Sequence, residues 1–165
     1  MPIAIPTVDV AESNEYILTN KIPEKGKNKK FYINNISIGK AVRASSSFPV
    51  VFSPCNFEKH IFLDGGTLDN VTTIPVKNLG AEKVISVNFD ADEINEESNI
   101  MDIVMKTLDI MGNKISEKCL HSSDLILTVP SDKTGLLDIE KIDDCYKLGY
   151  DTAIKNMDKI LDVLK

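Results

Sequence analysis

The chain has 165 residues, 42% of them hydrophobic and 27% charged, a length and composition typical of one soluble globular domain. Its net charge of -6 and pI of about 4.9 argue against general electrostatic binding to nucleic acid or to anionic lipid headgroups. No apolar run is long enough to span a membrane and no signal-peptide pattern opens the chain, so no transmembrane segment is expected.

The cysteines and histidines favour a cytoplasmic protein without a metal. Three cysteines, Cys55, Cys119 and Cys145, are far apart and form no CxxC pair, so reduced thiols are expected rather than disulfides. The two histidines, His60 and His121, show no metal-ligand spacing with Cys, Asp or Glu. Neither a metal nor another cofactor is predicted.

In the first half of the chain, short apolar runs predict strands at residues 2–9, 16–18 and 32–33. The basic run at 25–30 is broken by glycine and asparagine, which favours a polar loop over a phosphate-binding patch. Ser37 is placed to cap a helix that ends before Phe48-Pro49. A short buried strand at 61–63 then leads to a glycine turn.

In the second half, Thr72 or Thr73 is placed to cap a helix that ends at Gly80. A β-branched strand at 84–89 leads into an acidic segment, 90–97, which is expected to be a solvated loop rather than a calcium site. The remaining predicted elements are an amphipathic helix at 99–120, a strand at 125–129 and a final helix at 142–164. Strands alternating with helices predict an α/β fold.

The strongest chemical signal is the run from Phe62 to Asn70, in which Asp64 ends an apolar strand and is followed at once by Gly65 and Gly66. Open α/β sheets place ligands at such strand ends, and the glycines allow close approach of other segments. A buried carboxyl without a cation has a raised pKa, which suits a general base. The alternative for this triplet alone is a tight turn with a solvated aspartate.

The surrounding motifs resemble those of the patatin-like phospholipase family. Ala41 to Phe52 follows the pattern A-x-x-A-S-x-x-x-P-x-x-F; then come the D-G-G turn, Asn70, and L-G-A-x-x-V-I-x-V at 79–87. The resemblance is specific from about 41 to 87 and extends at pattern level through most of the chain. It implies a three-layer α/β/α fold with a mostly parallel central sheet, of which residues 1–165 form the C-terminal part as a single partial domain.

The resemblance also implies lipid degradation by a Ser-Asp dyad, in which the aspartate takes the proton of the serine directly. Carried over position by position, Asp64 is the base and Gly65 and Gly66 form its turn. Asn70 and Ser45 are structural residues around the active site. The substrate of the intact protein is then a phospholipid, a lysophospholipid or a related ester.

The chain departs from the family because it contains no G-x-S-x-G motif and no glycine-rich oxyanion loop. We therefore expect the isolated chain to be inactive and to self-associate or pair with an N-terminal half. One of Ser45, Ser46 and Ser47 could replace the nucleophile, but without flanking glycines these residues are expected to pack against the turn. A non-catalytic binding module is the alternative function.

Two further side-chain predictions follow from strand and helix geometry. His60 is expected to be a surface residue at a strand edge, roughly 13 Å from Asp64 at about 3.3 Å per residue. The methionines of the helix at 99–120, Met101, Met105 and Met111, are expected to fill the core rather than to line an acyl pocket.

Overall fold

A computed structural model describes residues 1–24, 28–89, 100–130 and 139–165. The predicted acidic loop at 90–97 and the first three residues of the predicted polar loop at 25–30 lie outside these residues. Over the described ranges, no helix is long and apolar enough to cross a membrane.

Among the described residues, five strands form one sheet in the order β3-β2-β1-β5-β4. The strands are β1 (Ala4–Asp9), β2 (Asn14–Thr19), β3 (Tyr32–Ile33), β4 (Cys55–Phe57) and β5 (His60–Asp64). Strand β1 lies at the centre, where Thr7 pairs with Asp64 and Asp9 pairs with Phe62. This pairing joins the start of the chain to the predicted catalytic turn.

A second sheet in the described part of the chain consists of β6 (Ile85–Phe89) and β7 (Leu125–Val129), which run parallel. The connection between them contains α3 (Ile100–Leu120). The predicted final helix is divided into α4 (Ile142–Lys155) and α5 (Met157–Val163), both of which contact β7. At the break, the Asn156 side-chain amide donates to the Thr152 carbonyl at 2.9 Å. The backbone N–H of Asn156 also donates to the Thr152 carbonyl at 3.2 Å, and that of Ile160 donates to the Asn156 carbonyl at 3.1 Å, so helical hydrogen bonds continue across the break.

The predicted α/β fold is confirmed, and the mostly parallel sheet is confirmed only in part. Strands β6 and β7 are parallel, as are β2 and β3, whereas β1 is antiparallel to β2 and to β5, and β4 is antiparallel to β5. Short turns at 10–13 and 58–59 join β1 to β2 and β4 to β5. Parallel strands need a long crossover, so connections this short can only produce antiparallel pairs.

The core lies between the five-stranded sheet and α1 (Ile38–Ser45). The buried face of α1 consists of Ala41 and Ala44, whose small side chains let the helix approach β1 and β5 closely. Leu18 and Phe62 are fully buried beneath it. Burying a side chain of this size contributes roughly 1.5–3 kcal/mol to folding, so these two residues are major contributors.

The short helix α2 (Thr73–Asn78) contacts α3, and it begins and ends close to the predicted bounds. Gly80 follows it with a φ of 107°, a conformation that glycine adopts readily. On α3, Met111 is 56% exposed, so the prediction that it fills the core is wrong. Met105 is half-buried, and the side chain of Met101 lies outside the described part of the chain.

Candidate active site

Asp64 is held at the end of β5 by three neighbouring contacts. Its backbone N–H donates to the Ser47 carbonyl at 3.0 Å, and the Thr7 hydroxyl donates to the Leu63 carbonyl at 2.7 Å. The Asp64 carboxylate accepts a hydrogen bond at Oδ1 from the backbone N–H of Gly66 at 2.8 Å. The strand end and the turn therefore fix both the position and the orientation of this carboxylate.

Both glycines of the turn lie too close to their neighbours to carry a side chain. A Cβ at Gly65 would meet the Pro6 carbonyl oxygen of β1 at 2.5 Å. At Gly66 a Cβ would collide with the side-chain oxygen of Asn70 and would lie 3.0 Å from Asp64 Oδ1. The glycines thus allow β1 and Asn70 to pack directly against the backbone beside Asp64.

Helix α3 lies over the same turn, which the sequence did not predict. A Cβ at Gly112 would lie 2.9 Å from the Gly66 carbonyl oxygen, so the helix backbone nearly touches the turn. Next to it, the Asn70 amide donates to Asn113 Oδ1 at 3.4 Å. The available signal was a lone glycine within an amphipathic helix, which often indicates close packing. Asn70 therefore bridges the glycine turn and α3.

The surroundings of Asp64 favour its neutral form. The carboxyl group is half-buried, and burial raises its pKa, while the Gly66 N–H acts in the opposite direction. In the described parts of the chain, no basic side chain forms an ion pair with it. A carboxylate with a raised pKa and no cation is a stronger base than an exposed aspartate.

A second acidic group is formed by Glu15 of β2 and Asp69, which follows the glycine turn in sequence. Burial and the neighbouring Asp69 carboxylate raise the pKa of Glu15 to about 7. Burial also raises the pKa of Asp69, although the Val71 N–H at 3.1 Å favours its charged form. Burial and Asp69 raise the pKa of the Cys119 thiol at the end of α3. Below neutral pH, Glu15 is therefore the protonated partner and donates to the Asp69 carboxylate.

This cluster of Glu15, Asp69 and Cys119 joins β2, the segment after the turn and α3. Thr73 strengthens the junction, because its hydroxyl donates to the Cys119 carbonyl at 3.0 Å. The three residues are separated by 54 and 50 positions, and no short motif connects them. Sequence reasoning therefore had no signal for the cluster.

The serines near the turn are engaged in other contacts. Ser47 is fully buried, and its hydroxyl donates to the Arg43 carbonyl at 2.8 Å while the Arg43 guanidinium donates to it at 2.5 Å. The Ser46 hydroxyl donates to the Val42 carbonyl at 2.9 Å. Ser45 is half-buried at the end of α1. Of the three serines that were expected to pack against the turn, Ser47 contacts Asp64, through its backbone carbonyl.

The prediction that His60 is a surface residue is wrong. Only 6% of His60 is exposed, and its Nδ1 lies 2.5 Å from Asp9 Oδ2. The reason is that β5 lies between β1 and β4, so His60 is not on an edge strand. Tyr16 and Phe62 cover its ring. The sheet order that buries His60 depends on long-range pairing between β1 and β5.

Comparison with known proteins agrees with the motifs. Residues 7–77 match the model of the family described as Patatin-like phospholipase. The chain is 24% identical to Lysophospholipase NTE1 of Coccidioides immitis (strain RS), over 79% of this chain and 11% of that protein. It is 27% identical to Lysophospholipase NTE1 of Scheffersomyces stipitis, over 69% of this chain and 9% of that protein. The chain thus spans about a tenth of the length of these relatives.

The matched segment contains the whole five-stranded sheet from Thr7 onwards, the glycine turn with Asp64, and most of α2. It covers less than half of the chain. The family match and the two relatives support the resemblance to the patatin-like phospholipase family that the motifs indicated.

Proposed function

We propose that this chain supplies the general base, Asp64, of a lipid acyl hydrolase that cleaves phospholipid or lysophospholipid esters. The main support is the half-buried Asp64 carboxyl at the end of β5, with a raised pKa and a glycine turn beside it. This group lies within the segment that matches the family model. The curated relatives are named lysophospholipases, which favours lysophospholipid as the substrate.

In the proposed reaction a serine hydroxyl attacks the ester carbonyl carbon while the Asp64 carboxylate accepts the hydroxyl proton. Gly66 holds Oδ1, so Oδ2 is the oxygen that faces the serine. The tetrahedral intermediate then collapses to an acyl-serine as Asp64 returns the proton to the leaving alcohol. Water, deprotonated by Asp64, releases the fatty acid in a second cycle of the same steps. Activity should rise with pH through the raised pKa of Asp64, because only the carboxylate accepts a proton.

We place the nucleophilic serine in a segment outside residues 1–165. The sequence contains no G-x-S-x-G motif, and Ser47 is buried and hydrogen-bonded to Arg43. A lipid or ester substrate would then bind where this chain meets the segment that carries the serine and the oxyanion loop. The same proposal includes self-association of the isolated chain. It also includes a cytoplasmic location for the protein, which its free cysteines favour.

The test compares two proteins, the isolated chain and the full-length gene product, on a medium-chain p-nitrophenyl ester and on a lysophospholipid. The isolated chain should be inactive, and Asp64→Asn should lower the activity of the full-length protein by at least about 100-fold, the minimum expected for losing a general base. Asp162→Asn is the matched control, because Asp162 is exposed and pairs with Lys165.

Two outcomes would contradict this assignment. If the full-length protein is active and Asp64→Asn leaves that activity unchanged, Asp64 is not the base. If the isolated chain hydrolyses the ester and loses that activity on Asp64→Asn, the serine lies within these residues. A full-length protein without esterase activity would instead favour the non-catalytic binding module, which the absence of a nucleophile motif in this chain also suggests.

A further inference from the structure

A group of three possible metal ligands lies where the β1–β2 turn meets β5. Asp9 ends β1, Glu12 lies in the turn and His60 begins β5. One ligand atom from each residue lies within 4.8 Å of the other two. Asp9 and His60 are 1% and 6% exposed, whereas Glu12 faces solvent. The group is therefore fixed on one side and open on the other.

The two buried members are held in place by the surrounding fold. Asp9 Oδ1 accepts hydrogen bonds from the backbone N–H groups of Ala11 at 2.8 Å and Glu12 at 3.3 Å. These bonds leave Oδ2 directed at His60 Nδ1, 2.5 Å away. The imidazole stacks on Phe62, with ring centroids 5.2 Å apart and planes 10° apart. Neither group needs to lose much conformational freedom on binding an ion.

The exposed member is oriented by Tyr16, whose hydroxyl donates to Glu12 Oε2 at 2.6 Å. The ammonium group of Lys59 is the nearby cation, 3.7 Å from Glu12 Oε1 and largely exposed. Hydrogen bonds from outside a metal site commonly orient its ligands and strengthen binding. The Tyr16 phenol and the backbone N–H groups on Asp9 are contacts of this kind.

We propose that Asp9, Glu12 and His60 bind one divalent transition-metal ion of the zinc class, with solvent water as the fourth ligand. One imidazole nitrogen with two carboxylates suits zinc and its neighbours, whereas calcium and magnesium prefer oxygen ligands alone. Two carboxylates and a neutral imidazole give a site whose charge balances that of a divalent ion. Ligand atoms of a tetrahedral site lie about 3.3 Å apart, so Asp9 and His60 must separate by roughly 1 Å.

For His60 Nδ1 to bind the ion, its hydrogen bond to Asp9 Oδ2 must break and Nδ1 must carry no proton, so the neutral imidazole holds its proton on Nε2. The ion would link the β1–β2 turn to β5. His60 and Asp64 are at opposite ends of β5, roughly 13 Å apart at about 3.3 Å per residue. The site is therefore structural, and it is independent of the ester hydrolysis proposed above. The alternative is a hydrogen-bonded Asp–His pair that never takes an ion.

The test uses metal-free chain titrated with Zn²⁺ against a chromogenic chelator, and with Co²⁺ followed by visible absorption. We expect one equivalent of each ion, d–d bands of a nitrogen and oxygen site, and a higher melting temperature with Zn²⁺. Glu12→Gln removes a carboxylate ligand but keeps an oxygen that can accept from Tyr16. It should weaken Zn²⁺ binding at least about tenfold, since loss of groups that merely orient ligands already costs 10- to 100-fold.

Glu82→Gln is the matched control, because Glu82 is exposed and lies outside the cluster. It should bind Zn²⁺ as the unmodified chain does. Three results would overturn the proposal: no stoichiometric binding, equal affinity in Glu12→Gln, or a thiolate-to-cobalt charge-transfer band. The charge-transfer band would show that a cysteine binds the ion, and Cys145 is an exposed cysteine.

Discussion

The five-stranded sheet with α1 and the β6–β7 pair with its helices bury their apolar residues to different extents. In the first region, Leu18 and Phe62 are fully buried and Tyr16 is 5% exposed. In the second, Val87 and Phe89 of β6 are 54% and 64% exposed. The described side chains of α4 and α5 include none that is buried. One region has a closed core, and the other presents apolar surface.

The difference shows that an amphipathic pattern defines a face but not what covers it. On α4, Ile142, Tyr146, Tyr150 and Ile154 follow one another every four residues, as a core-facing stripe would, yet each is more than half exposed. The segment that matches the family model, 7–77, contains most of the region with the closed core, and it lacks β6, β7, α3, α4 and α5. The two regions meet where α3 contacts the glycine turn of Asp64.

The largest expected effect comes from replacing one phenylalanine with alanine in each region and comparing the two variants. Phe62→Ala should lower the free energy of unfolding by about 3–5 kcal/mol, because it leaves a cavity in a packed core. Phe89→Ala should change it by no more than about 0.5 kcal/mol, the usual range for a surface position. Urea-induced unfolding followed by circular dichroism measures both variants.

If Phe89→Ala lowered the free energy of unfolding as much as Phe62→Ala does, the two regions would not differ as described. The result would mean that the outer face of β6 is covered in solution. Repeating the measurement at several protein concentrations distinguishes covering by a second copy of the chain, because stability would then depend on concentration. Phe62→Ala should show no such dependence beyond that of the unmodified protein.

A smaller effect concerns Glu15, which joins the first region to α3 through Asp69 and Cys119. Its pKa is about 7 in the folded protein against a usual value of 4.5, so the folded state binds more protons between these values. The stability from this group is present below about pH 4.5 and is lost as the pH rises through 7. Relative to Glu15→Gln, the unmodified protein should lose on the order of 1–2 kcal/mol between pH 5 and 8, after allowing for partial solvent screening.

The measurement is the unfolding free energy of both proteins across that pH range. The glutamine side chain of the Glu15→Gln variant stays neutral and can still donate to Asp69, so the pH profile of this variant should be flatter. Glu82→Gln, at an exposed site, should keep the profile of the unmodified protein. Parallel profiles for Glu15→Gln and the unmodified protein would show that Glu15 is charged near neutral pH and that the link to α3 is weaker than the structure implies.

The sequence predicted what depends on local patterns. Alternating or continuous apolar runs placed β5, β6 and β7, and the 3.6-residue period placed α1 and α3 within one or two residues of their bounds. The Asp64 turn was also found locally, because a strand followed by two glycines needs no distant information. The final helix was predicted as a single element, whereas the structure divides it at Asn156 into α4 and α5.

What the sequence missed depends on pairing between distant segments. His60 is buried because β1 lies beside β5, and that order is fixed by residues about 55 positions apart. The same pairing brings His60 to Asp9, and the packing of α3 brings Cys119 to Asp69. No sequence motif links the residues of these pairs, so the contacts could not be predicted from the sequence.

The smallest expected effect comes from replacing a glycine with alanine in α3 and in α4. This pair of variants tests the contact between the two regions directly. Alanine stabilises a helix interior by up to about 1 kcal/mol relative to glycine. At Gly149 of α4, no neighbouring atom lies within 4 Å of a new Cβ, so Gly149→Ala should gain this amount. At Gly112 of α3, the new Cβ would lie 2.9 Å from the Gly66 carbonyl oxygen, and the displacement should cancel the gain.

Thermal and urea unfolding of the two variants give the difference. The full-length protein adds a second measurement, because Gly112→Ala should also lower ester hydrolysis by moving the turn that holds Asp64, whereas Gly149→Ala should not. If both alanines stabilise the chain equally and activity is unchanged, α3 does not rest on the turn. The closed region would then hold Asp64 in place by itself, through Ser47, Thr7 and the Pro6 backbone, and the second region would be a separate unit that contributes nothing to the geometry of the base.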